Sequence, residues 1–116
     1  MDIKHLQKRV IDFRNKRNWK QFHNPKDLAI SLNLEAAEVL EHFQWKTETE
    51  IAEYLKKAAN KKALAEELCD VLFWILTMAH DLEIDMPKAF EQKMKKNEKK
   101  YPVNKSKGKH TKYTKL

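Results

Sequence analysis

The sequence predicts an all-α fold, a four- to five-helix bundle that assembles as a dimer or a dimer of dimers. Three observations carry that reading. One glycine and three prolines in 116 residues leave few breaks, and the chain is rich in Leu, Ala, Glu and Lys, which favour helix. No run of alternating β-branched residues marks a strand. Apolar residues recur instead at helical spacing.

The first helix covers residues 2–17, with Ile3, Leu6, Val10 and Phe13 as its apolar stripe. Residues 14–22 then turn irregular and polar, with Trp19 and Phe22 as anchors. Asn24-Pro25 starts the second helix, Asn as N-cap and Pro at the first helical position. It runs to about residue 43. Thr47 caps a third helix with Glu48 and Glu50 in its first turn, where the helix dipole favours acids; it runs to about residue 59. Asn60 marks a break before a fourth helix over residues 61–82. Asp85 caps a fifth, which reaches residue 100 and ends at Pro102. These helices form one domain, 1–101. Residues 102–116, with five lysines and no acid, read as a basic, flexible tail that holds much of the net charge of +7.

The fourth helix is apolar on nearly every face from Leu68 to Ala79. Such a helix needs cover on every face, and four modest neighbours are too few. A second copy of the chain is the simplest cover, hence the predicted assembly. The run is too short to span a bilayer and contains Asp70, so no membrane role is expected. The single cysteine, Cys69, reads as a buried free thiol. No leader is evident, and a reducing, cytoplasmic setting is expected.

Carboxylates interrupt this apolar surface in pairs. Glu35 and Glu38 stand three apart on the second helix, Glu67 and Asp70 three apart on the fourth. Residues at that spacing share a helix face. Side by side, the two helices bring four acids to one place, and four such acids need counter-charge, a basic partner or protonation. Oxygen-only ligands favour a hard cation, Mg²⁺ or Mn²⁺. No Cys or His is spaced for zinc. A di-iron bundle calls for Glu-x-x-His, and the chain has none. Glu41, Glu48, Glu50 and Glu53 read as surface acids.

With these pairs the sequence resembles the all-α NTP pyrophosphohydrolases, the MazG-like superfamily, and within it the dCTP pyrophosphatase branch. Their signature is Glu-Glu-x-x-Glu on one helix and Glu-x-x-Asp on a later one. Glu35 and Glu38 match the second and third glutamates, with Leu34 in place of the first. Glu67 and Asp70 match the second half. The segments Arg17 to Pro25, Phe43 to Lys46, Lys93-Met94 with Asn97, Tyr101-Pro102, and Lys112 to Thr114 extend the likeness over most of the chain.

The resemblance implies Mg²⁺-dependent hydrolysis of a nucleoside triphosphate to the monophosphate and pyrophosphate, in the service of nucleotide pool cleansing. Glu35, Glu38, Glu67 and Asp70 would hold the metal. One of these acids, Glu38 or Glu67 first, or a neighbour such as Glu41 or Glu66, would take a proton from water. Trp19 and Trp45 would stack on the base. Trp74, one turn beyond Asp70, would line the pocket. Lys93 would face phosphate, with Lys96 and Lys100 as alternatives, and Asn97 would read a base edge. Cytosine-preferring members carry a histidine on the first helix, where Val10 stands here, so the preferred base is left open. The alternatives are a non-catalytic helical module binding nucleotide or nucleic acid through the basic tail, and a structural helical dimer. The first leaves Asp70 within an apolar run unexplained, the second predicts that the four acids can become amides at little loss, and nucleic acid is not the expected partner.

Overall fold

The computed structural model describes residues 1–116 and is all-helical. Its elements are α1 (Ile3–Lys16), a 3₁₀ turn (Lys20–Phe22), α2 (Pro25–Glu41), α3 (Glu48–Lys56), α4 (Ala58–Asp81), α5 (Met86–Lys100), the short α6 (Val103–Ser106) and a final 3₁₀ turn (Tyr113–Lys115). The chain divides into two compact units, Met1–Glu83 and Ile84–Leu116, so α5 groups with the basic end.

In the first unit α4 is the central element, and α1, α2 and α3 each pack against it, α2 most extensively. The starts of α1, α2 and α3 are each set by a side-chain cap, while α4 starts at Lys57 without one. Asp2 accepts from the His5 N–H at 2.8 Å, Asn24 from the Asp27 N–H at 2.9 Å, and Thr47 forms a reciprocal capping box with Glu50. The end of α1 is a Schellman motif. Asn18 takes the left-handed conformation, φ 54°. The Trp19 N–H donates to the Arg14 carbonyl at 3.2 Å and the Asn18 N–H to the Asn15 carbonyl at 3.0 Å. The accompanying apolar contact is the Trp19 ring against the edge of Phe13, centroids 5.7 Å apart.

The break between α3 and α4 falls at Lys57, whose ψ of 122° is extended, and not at Asn60. The Asn60 amide instead donates to the Tyr54 carbonyl at 3.0 Å. It satisfies the exposed end of α3 while its own backbone already belongs to α4.

The core of this unit is thin. Ile11, Leu28, Leu76 and Ala79 are buried, with Arg14 and Thr77 beside them. The expected apolar girdle of α4 is covered only toward its C-terminal end; Leu68 is 53% exposed. Cys69 is exposed as well, against the expectation of a buried thiol, because this face of α4 meets no helix of its own unit. Leu76, 1% exposed, touches the centre of the packing. Leu76→Ala is expected to destabilise the fold by about 2–5 kcal/mol, measured by urea unfolding at unchanged m-value.

In the second unit Asp85 caps α5 by accepting from the Lys88 N–H at 3.1 Å, as its sequence position predicts. The basic end, expected to lack structure, forms α6 and a turn. The Lys109 N–H donates to the Ser106 carbonyl at 3.0 Å, with Gly108 at φ 75°, where a type II turn needs glycine. Tyr113 meets Tyr101 edge to face at 5.9 Å and carries the Lys100 ammonium over its ring at 4.6 Å.

Candidate metal centre and its surroundings

Packing of α2 along α4 sets Glu35 and Glu38 of α2 against Glu67 of α4. Oxygen atoms of Glu35, Glu38 and Glu67 lie within 4.8 Å of one another. Three carboxylates this close repel, and their protonation reports it. Glu67 is pushed up to about 7 by its hydrogen bond with the Glu38 carboxyl first, then by desolvation and by the charges of Glu38, Glu35 and Asp70. Glu35 is raised by desolvation first, then by Glu38 and the charge of Asp70. The Oε2 atoms of Glu35 and Glu67 are shielded from solvent and have no hydrogen-bond partner. Buried polar atoms are normally paired, so two orphaned carboxylate oxygens beside a third carboxylate are an unmet demand for positive charge. The donor set is oxygen only, which suits a hard cation.

Asp70 is the exception among the four predicted ligands. It stands outside the group of three that converge and is exposed. Three residues along a helix turn a side chain about 60° from its predecessor, and that offset carries Asp70 toward the uncovered face of α4. Its charge still raises both Glu35 and Glu67, so it stands near them without joining them. Glu41 and Glu66 are exposed surface acids.

The three tryptophans occupy distinct settings. Trp19 is 40% exposed at the end of α1. Trp45, in the turn after α2, is 91% exposed and has φ 66°, a left-handed conformation that costs a bulky residue about 1–2 kcal/mol. Trp74 is half-buried, edge-on to Phe73 at 5.0 Å and to His23 at 5.5 Å. It lies seven residues after Glu67, two turns along the same face of α4. Lys93 and Asn97 lie one turn apart on α5 in the second unit, Lys93 exposed and Asn97 half-buried.

Sequence reasoning missed a second ionic cluster in the first unit. The Arg14 side chain is only 1% exposed and pairs with Asp81, donating from Nη1 at 2.7 Å and from Nη2 at 2.9 Å. Arg14 Nη1 also lies 3.4 Å from His23 Nδ1. His23 and Asp81 line a cleft of about 380 Å³ with Lys20, Asn24 and His80. The available signal was a charged residue four after Val10, on the apolar stripe of α1.

Residues 30–116 match the MazG-like family. The chain is similar to dCTP pyrophosphatase 1 of Mus musculus, 39% identical over 115 residues, and to dCTP pyrophosphatase 1 of Homo sapiens, 36% identical over 115 residues. It aligns over 99% of its own length and spans 66% of theirs. Its fold is similar to that of a pyrophosphatase from Archaeoglobus fulgidus DSM 4304, with a TM-score of 0.77, 40% identity, and coverage of 85% of this chain and 91% of that one. The matched residues include all four acids, and the chain belongs to the MazG-like family.

Proposed function

We propose that the protein is a nucleoside triphosphate pyrophosphohydrolase that uses Mg²⁺, with Mn²⁺ as the alternative ion, and releases monophosphate and pyrophosphate. The observation that carries this reading is the convergence of Glu35, Glu38 and Glu67 with two buried, unpartnered oxygens. Glu35, Glu38 and Glu67 would hold the ion, with Asp70 nearby as the fourth acid. Bound there, a divalent cation supplies counter-charge for the triphosphate and acidifies water. The acids do the rest. Glu67 would take a proton from the attacking water, with Glu38 of the same group as the alternative acceptor.

Stacking on Trp19 and Trp45 orients the base, and Trp74 lines the same pocket from α4. Lys93 for phosphate and Asn97 for a base edge rest on the family resemblance. The relatives named dCTP pyrophosphatase 1 make dCTP the first substrate to test, and Val10 leaves the base preference to be measured. The test is an assay over all dNTPs and NTPs, with Mg²⁺ and with EDTA, resolving monophosphate, pyrophosphate, diphosphate and phosphate. Monophosphate and pyrophosphate formed only with the cation are the expected products. Diphosphate and phosphate, or activity indifferent to EDTA, would refute the assignment.

The assembly is a dimer or a dimer of dimers. Ile30 and Leu34 on α2, 49% and 61% exposed, and Leu68 on α4 leave apolar surface beside the acids. Sedimentation is expected to give at least twice the chain mass of 13.9 kDa, and Leu68→Glu is expected to lower it; a wild-type monomer at assay concentration contradicts this.

A further inference from the structure

We propose that Arg14 is a positioning residue for the nucleoside pocket, clamping both ends of the segment that carries Trp19 and, through His23, orienting Trp74. The inference rests on the reading of those two indoles as nucleoside-binding.

Arg14 acts through two different parts of itself. Its carbonyl accepts the N–H of Trp19 at 3.2 Å and of Arg17 at 3.1 Å, so the segment leaves α1 in a fixed direction. Its guanidinium meets the far end of the same segment at His23. A guanidinium has no acceptor, so His23 Nδ1 accepts from Nη1, which places the imidazole proton on Nε2 and sets the ring plane. Desolvation first, and the Arg14 charge second, hold His23 below the ordinary histidine value, in keeping with a neutral ring. That ring stands edge-on to Trp74, centroids 5.5 Å apart at 75°.

Asp81 makes the clamp rigid. Two bonds of 2.7 and 2.9 Å to the guanidinium fix its plane, and bidentate pairing leaves it little freedom. Asp81 comes from the end of α4, the helix that also carries Glu67 and Trp74. A buried ion pair is weak evidence for stability, since well-packed apolar residues often replace one without loss. Its contribution here is orientation: one side chain ties α1, the Trp19 segment and α4 together.

The test separates orientation from stability. The double variant Arg14→Met/Asp81→Leu removes the guanidinium arm of the clamp, keeps the carbonyl bonds and leaves no buried unpaired charge; Asp81→Asn, which keeps the shape of the acid, is the second variant. Both are compared with Trp19→Ala and Trp74→Ala by steady-state kinetics with dCTP and Mg²⁺, product inhibition and thermal melting. The expected result for the clamp variants is a KM raised about tenfold with little change in kcat, the scale of one lost base-stacking contact. Inhibition by the nucleoside monophosphate weakens in parallel, inhibition by pyrophosphate does not, and melting stays cooperative. Trp19→Ala and Trp74→Ala raise KM likewise. A KM unchanged in both clamp variants while the tryptophan variants raise it overturns the clamp and spares the indole reading. A KM unchanged in the tryptophan variants removes both. Equal weakening of monophosphate and pyrophosphate inhibition, or loss of cooperative melting in both clamp variants, shows a structural role alone and also overturns the proposal.

Discussion

Glu67→Gln is expected to lower kcat about a thousandfold or more while helix content and assembly stay intact, the upper range for losing a positioned proton acceptor. The amide keeps the size of the side chain and removes both its charge and its basicity. Because Glu67 sits where three carboxylates repel, with its Oε2 unpartnered, the fold loses no favourable contact. Glu38→Gln is expected to behave alike, since Glu38 belongs to the same group of converging acids. Asp70→Asn differs in kind. Its carboxylate is exposed and stands outside the group of three, so its loss is expected to raise the Mg²⁺ concentration for half-maximal rate by about tenfold, the lower end for a weakened metal shell. Circular dichroism and sedimentation on the same preparations decide the meaning of lost activity. If Glu67→Gln were inactive because it unfolds or dissociates, the acids would be structural, and the proposed chemistry would fail.

Three helix starts and three of the four paired acids were legible in the sequence for the same physical reason: both depend on residues three or four apart. Asn24, Thr47 and Asp85 each cap the helix their position announces. Glu35, Glu38 and Glu67 converge because the pair spacing fixes a face and the apolar residues around it fix which helices meet. What spacing does not contain is long-range or rotational detail. Arg14 and Asp81 are 67 residues apart, and nothing local announces their pairing. The exposure of Asp70 depends on a rotation about α4 that only the packed neighbours decide. Lys57 ends α3 without glycine or proline, while Asn60, which looked like the break, is a side-chain tie to Tyr54. Order in the basic end arises from rings twelve positions apart, Tyr101 and Tyr113, in a segment whose composition alone reads as unstructured.

Chelated, metal-free protein is expected to melt at a lower temperature than its own Glu67→Gln variant at pH 8, with the gap closing toward pH 5. The sign follows from linkage. Glu67 titrates at about 7 in the fold, against an ordinary 4.5, so between those values the native state binds more protons than the unfolded chain and stability falls as pH rises. Glu35, raised by desolvation and by Glu38, acts in the same direction in both proteins. Other shifted groups do not confuse the comparison. Asp81 is held low beside Arg14, so its contribution is complete above the ordinary carboxylate value and constant over this window. His23 is depressed, so acid destabilises through it, but equally in both proteins, and it cancels in the difference. Mg²⁺ is expected to reverse the order at pH 8, stabilising the wild type by about 2.7 kcal/mol at a hundred times its dissociation constant and the variant far less. A gap that does not change with pH would mean that the three carboxylates do not meet in solution, and with them would go the cation site on which the proposed hydrolysis depends.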